Sequence, residues 1–214
     1  MAADNDAPNI LVLCTANVCR SPMAEALLKR ALAKVDVEAN VSSAGFLEGG
    51  RPADDHAIEV MHSYGIDISG HRSQEVTRPQ AVVQDLILTM TRGHIRQLDE
   101  LWPEARSRTF TIGSLATAGT GPVSLEPDDL DDWTEKLSAS RDANDLIGTG
   151  PDETRDPIGR PRRIFAITAQ QLEKRCRVIA DLLAGNPLPG KTNGVDLFQS
   201  LDHPETRPVV RVEF

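Results

Sequence analysis

Five consecutive apolar residues, Ile10-Leu-Val-Leu-Cys14, lead through a short turn-like stretch to a helix start at Ser21-Pro22. A strand that is apolar at every position, not at every second one, must be covered on both faces. That constrains the fold more than any other feature of the chain. Ser21 suits an N-cap and Pro22 the first helical position. Met23, Leu27, Leu28, Ala31 and Leu32 then share one helical face as far as about Lys34. The alternation continues. Residues 41–45 predict a second strand, and 54–64 a second helix with Ile58 and Met61 inward and Gly65 just past its end. Residues 85–90 predict a third buried strand, 92–101 a helix stopped by Pro103, and 109–112 a fourth strand. Strands alternating with helices predict an α/β layer fold around a parallel sheet.

Residues 113–155 break this rhythm. Gly119, Gly121, Pro122 and Pro127 punctuate them, and the acidic run 128–132 opens a short helix to Ser140. They form an expected insertion carrying one helix, not a second domain. Thr168-Ala-Gln-Gln171 has the capping-box pattern, and Leu172, Cys176, Ile179 and Leu183 follow as a helical stripe to Gly185. Residues 186–214 hold four prolines and no helical period, with 208–214 their one strand-like piece. The chain, 1–214, is thus expected to be one domain with an insertion and an irregular C-terminal extension.

Composition narrows the function classes. There are 23 basic and 32 acidic residues, a net charge of −9, which argues against a general nucleic-acid binder. No stretch approaches the roughly 18 apolar residues of a membrane span. Residues 1–8 carry Asp4 and Asp6 and no apolar core of a secretory signal. Three cysteines make no disulfide framework. The expectation is a cytoplasmic protein with no membrane or nucleic-acid partner.

The chemistry concentrates in Cys14-Thr-Ala-Asn-Val-Cys-Arg20-Ser21, which lies between a strand and a helix. A loop curled over a helix N-terminus turns backbone N–H groups inward and forms an anion site. Arg20 adds a planar fork for two phosphate oxygens. The same positive field favours the thiolate of Cys14, a nucleophile aimed at a phosphoryl group held above it. Ser21 can donate a hydrogen bond to the sulfur, and Asn17 can fix the loop by side-chain to backbone hydrogen bonds. Thr15, Ala16, Asn17, Val18 and Cys19 complete the expected phosphate-binding loop.

These residues resemble the low-molecular-weight protein-tyrosine phosphatase family, within the group that also includes arsenate reductases of the same fold. The resemblance runs through Val12-Leu-Cys-Thr-Ala-Asn-Val-Cys-Arg-Ser-Pro-Met-Ala-Glu-Ala26, Ser43-Ala-Gly45, Gly70-His-Arg-Ser-Gln74, Leu86-Ile-Leu-Thr-Met90 and Asp156-Pro157. It implies a flavodoxin-like sheet of four parallel strands with helices on both faces. It also implies hydrolysis of phosphotyrosine in proteins through a phosphocysteine on Cys14, with no metal or cofactor and with phosphate or vanadate as inhibitors. Asp156 matches the general acid, and Pro157 holds the preceding residues extended.

Some positions depart from the family. Ile158-Gly159 stands where tyrosines usually wall the pocket, leaving Phe46, Leu47 and Val18 as candidate apolar walls. A branch that acts on phosphoarginine tends to have Thr at the place of Val18, whose apolar side chain favours a phenyl ring. Arsenate reduction needs further redox cysteines near Met90, and none lies there. Cys176 sits on a core stripe. In the family the second loop cysteine can pair with the nucleophile, so Cys19 is either a redox partner of Cys14 or a packed small residue. His71 and His94 are expected as loop hydrogen-bonders. Arg160, Arg162 and Arg163 are either a solvated patch or a cationic rim that attracts acidic sequence. A non-catalytic phosphate-binding module is the alternative of another class.

Overall fold

The computed structural model describes residues 7–118, 127–141 and 146–186. The elements run β1 Asn9–Cys14, α1 Arg20–Ala33, β2 Asn40–Gly45, α2 Asp55–Ser63, α3 Arg78–Val82, β3 Leu86–Thr89 and α4 Arg92–Leu101. A 3₁₀ segment Pro103–Arg108, β4 Thr109–Thr111, α5 Ile112–Thr117, α6 Pro127–Ala139 and α7 Arg162–Leu183 follow. The strands form one sheet in the order β2-β1-β3-β4, all parallel. This is the expected layered α/β fold, and it follows from the apolar run of β1. Ile10, Val12 and Cys14 face one core, with α1 and α7, whereas Leu11 and Leu13 face a second, with Ala81, Leu98 and Ala105. The period of two sends successive side chains to opposite faces, and helices cover both.

The register aligns the carboxyl ends of the strands. Cys14 lies beside Gly45, and Leu13 beside Thr89, which neighbours Thr111. Open parallel sheets bind ligands at this edge, where the strand order reverses. The largest helical contact joins α1 to α7. The expected stripe of α1 is buried, from Met23 to Leu32, and packs with Phe165, Leu172, Cys176 and Ile179 of α7. Arg30 bridges the pair through Glu173 at 3.1 Å.

The structure corrects several local expectations. Ser21 does not cap α1, because the helix begins at Arg20 and Cys19 takes the cap position without a side-chain hydrogen bond. Pro22 still falls in the first turn, where its missing N–H has no intrahelical partner to lose. Thr168 does not start a helix either. It lies inside α7, buried, because Pro161 ends the preceding loop and Phe165, fully buried against His56, extends the apolar stripe upstream. Two helices were not foreseen, α3 after Thr77 and α5 after β4, so the stretch 113–155 carries more than one helix. The strand expected at 208–214 lies outside the described residues. Among the described residues no helix is long and apolar enough to cross a membrane.

Phe165 is the largest fully buried side chain at the α7 start. Its replacement by Ala should cost about 3–5 kcal/mol of unfolding free energy, transfer and cavity costs together. Denaturant titration checks this, and a loss below about 1 kcal/mol would mean that the first turns of α7 do not belong to the core.

Candidate active site

The loop from Cys14 to Arg20 is built around Asn17. Its φ of 51° is left-handed, a conformation that Asn tolerates better than most residues. That turn brings the Asn17 N–H to 3.3 Å from the Cys14 sulfur, while the Ser21 hydroxyl lies 3.0 Å from the same sulfur. The Asn17 N–H and the Ser21 hydroxyl thus converge on the sulfur, at the N-terminus of α1.

The Asn17 side chain is fully used. Its amide donates to the Ser21 and Ser43 hydroxyls, each at 2.9 Å, and its carbonyl accepts from the Gln74 N–H at 2.9 Å. Its backbone carbonyl meets His71 Nε2 at 2.7 Å. The expectation of side-chain to backbone bonds was therefore too narrow, since two of the partners are serine hydroxyls. Ser43 passes the chain on to Glu25 at 2.6 Å. Gly45 is needed here for space. A Cβ at that position would stand 2.8 Å from Asn17 N and 2.9 Å from Thr15 O, inside any normal contact.

Arg20 is 4% exposed. One guanidinium nitrogen lies 2.5 Å from Asp156 Oδ2 and 3.3 Å from Thr15 Oγ1, while the other donates to the Thr154 carbonyl at 3.3 Å. The structure therefore brings Cys14, Arg20 and Asp156 to one place, although 136 positions separate the last two. Asp156 is half-exposed, and its second oxygen accepts the Ile158 N–H at 3.1 Å. Cys19 lies buried in the same loop, and burial, with Cys14 nearby, pushes its thiol well up. Cys176 is buried on α7, as its stripe implied.

The segment leading to Asp156 is held by residues that sequence reasoning did not single out. Arg92, the first residue of α4, grips Asp152 with two nitrogens, at 2.7 and 3.1 Å. Burial works against the charged Asp152, yet the hydrogen bonds from Arg92 and Thr111 hold its carboxyl below the ordinary value. Buried Arg175 of α7 donates to Thr154 Oγ1 and to the Pro151 carbonyl, both at 2.8 Å. Thr154 N–H closes on the Met90 carbonyl at 2.7 Å. Gly113 lets this segment approach α5, since a Cβ there would collide with the Asp152 backbone. Gly113, which opens the stretch 113–155, is a sequence signal of the close approach.

Of the expected apolar walls, Val18 is 5% exposed and joins the core, which leaves half-buried Phe46 and exposed Leu47 as side chains near the loop. Both are tied to it, since their N–H groups donate to the Thr15 carbonyl at 2.8 and 3.1 Å. Phe46 stacks on His94 with ring centroids 5.6 Å apart.

Comparisons with known proteins give the family and the fold. Residues 9–128, more than half of the chain, match the family described as low molecular weight phosphotyrosine protein phosphatase. The chain belongs to this family. A probable low molecular weight protein-tyrosine-phosphatase, EpsP of Ralstonia solanacearum, is 38% identical over 144 residues, spanning 67% of this chain and 90% of the relative. The low molecular weight protein tyrosine phosphatase from T. tengcongensis has a TM-score of 0.63 at 27% identity, covering 83% of this chain and all of that one. The YwlE arginine phosphatase from Geobacillus stearothermophilus has a TM-score of 0.62 at 28% identity, covering 81% and 91%. The protein is thus a hydrolase of the low molecular weight phosphatase family with a flavodoxin-like fold.

In this phosphatase His94 shares a 3.1 Å hydrogen bond with Thr15 Oγ1. Burial, reinforced by Arg20 and opposed by Asp156, pushes its imidazole down to about 4 from 6.5. The unfolded chain therefore binds the extra proton first as pH falls. The stability that neutral His94 provides is complete above about pH 6.5 and is lost as pH falls towards 4, an effect on the order of 3 kcal/mol. His94→Gln should flatten the fall of unfolding free energy between pH 6.5 and 4, measured by urea titration. An unchanged slope would show that His94 titrates alike in both states.

Proposed function

We propose that this enzyme hydrolyses phosphotyrosine in proteins in two steps. The observation that carries the reading is the convergence of Asn17 N–H and Ser21 Oγ on the Cys14 sulfur, with Arg20 and Asp156 paired beside it at 2.5 Å. The loop Thr15, Ala16, Asn17, Val18, Cys19 holds the phosphoryl oxygens with its backbone N–H groups, and Arg20 holds two of them with its fork. The Cys14 thiolate attacks phosphorus, and the bond to the leaving oxygen breaks. Asp156 gives that oxygen its proton. The second step reverses these roles. Asp156 takes a proton from water, water attacks the phosphocysteine, and the thiolate of Cys14 leaves, eased by the Ser21 hydroxyl.

Asp156 lies beyond the matched stretch 9–128, so its role rests on its contact with Arg20 and on the family resemblance of Asp156-Pro157. The added stretch 113–155 serves this loop on the same reading, since Asp152 and Thr154 anchor it to α4 and α7. A reducing cytoplasm suits a reaction that needs Cys14 as a free thiol, and Cys14, Cys19 and Cys176 are unpaired. Dephosphorylation of arginine on the same loop is the second reading, favoured by the likeness to the YwlE arginine phosphatase. Turnover of phosphotyrosine and phosphoarginine peptides side by side separates the two. Arsenate reduction has no support from the third cysteine, because Cys176 is fully buried on α7.

Cys14→Ser should abolish hydrolysis of an aryl phosphate and keep phosphate or vanadate binding, read by calorimetry. Comparable turnover in the variant would remove Cys14 as nucleophile.

Asp156→Ala should slow turnover by about 10² to 10⁴, the usual worth of general acid–base catalysis. With chemistry limiting, the loss should be greater for phenyl phosphate than for p-nitrophenyl phosphate, whose leaving group needs less protonation. Equal losses would exclude the acid role.

A further inference from the structure

Four of the nine residues from 155 to 163 are arginine, in a chain whose net charge is −9. Arg155, Arg160, Arg162 and Arg163 are all exposed. Arg162 pairs with Glu59 of α2 at 3.1 Å. Among the described residues, the side chains of Arg155, Arg160 and Arg163 form no ion pair or hydrogen bond. Local stability does not call for them. Arg162 and Arg163 occupy the first turn of α7, where the helix dipole favours acidic residues, and that turn contains none. Arg163, set against the dipole, and Arg155 and Arg160, left without partners, point to a function outside the fold.

Their position says which one. Arg155 precedes Asp156 directly, and Arg160 N–H closes a turn on the Pro157 carbonyl at 2.9 Å, so both border the acid. Arg162 reaches α2, whose cap residue Asp54 donates its N–H to the Val18 carbonyl of the phosphate loop at 2.8 Å. The arginines therefore follow the edge of the site from the acid to the helix beside the loop. We propose that they form a cationic rim that selects phosphorylated protein segments carrying further anionic groups next to the hydrolysed residue. Carboxylates and a second phosphoryl group share this chemistry, and the guanidinium fork binds either. The rim rests on the phosphotyrosine reading and names the substrate class of that same site. Exposed charges act mainly on encounter, so the selection depends on ionic strength.

The test compares kcat/KM for tyrosine-phosphorylated peptides with neutral flanks, with Asp/Glu flanks and with a second phosphotyrosine, in wild type and in R160Q/R163Q. In low salt, the wild type should favour anionic flanks by about tenfold. The preference should shrink towards parity at about 0.5 M salt, where the Debye length falls to a few ångström. The double variant should lose it, keep p-nitrophenyl phosphate turnover within about twofold, and melt no lower than wild type, because its helix dipole is relieved. The two anionic arms tell carboxylate from phosphoryl selection, and a preference in either supports the rim. Equal rates on neutral and anionic flanks, or a preference that survives in R160Q/R163Q, would overturn it. Wild type inactive on every phosphotyrosine substrate would overturn the catalytic reading and the rim with it.

Discussion

The left-handed turn at Asn17 is the constraint on which the site depends. A φ of 51° is a conformation that side chains other than Asn and Gly rarely adopt, and here the surroundings hold it. The Asn17 amide ties Ser21 of α1, Ser43 of β2 and the Gln74 backbone into one buried network. Each bond is modest in net terms, about 1 kcal/mol, but a buried amide left without partners costs more than that. The network is therefore satisfied as a whole or not at all. Its consequence at the sulfur is direct, since the same turn aims the Asn17 N–H at Cys14.

A second structure must meet the first. Asp156 is far along the chain, and its loop has no regular structure to place it. Two arginines supply that order. Arg92 holds Asp152 from α4, and Arg175 holds Thr154 and Pro151 from α7. Both helices pack on the sheet that also carries β1. The loop of the nucleophile and the loop of the acid are thus referred to one rigid body, and this suits groups that must act on opposite sides of one phosphoryl group.

How much of this was legible follows from distance along the chain. Cys14, Arg20 and Ser21 lie within one turn and its helix, so their spacing carried their chemistry. The buried strands were legible because burial on both faces demands apolar residues throughout. Asp156 was found through its Pro157 and the family resemblance, not through periodicity. The clamps were invisible, because Arg92 and Asp152 are 60 positions apart and Arg175 and Thr154 are 21 apart, with nothing local to mark either pair. Ser21 and Thr168 misled for the opposite reason. Each has a local capping signature, but one hydroxyl is taken by the Cys14 sulfur and the other residue is overrun by a longer apolar stripe. Tertiary partners outweighed local propensity in both.

The pairing of Arg20 with Asp156 links binding to chemistry in the proposed reaction. Arg20 is nearly buried, so its charge needs an anion close by. In the structure that anion is Asp156. A phosphoryl dianion in the loop competes for the same fork and brings more charge and more oxygens to it. The fork proposed to hold the phosphoryl group and the proposed acid are thus neighbours in the fold, one hydrogen bond apart. The acid loop has to be held firmly for this, because a carboxylate that drifts from the fork is no longer beside the group it must serve. Arg92 and Arg175 supply that hold without touching the phosphoryl group themselves.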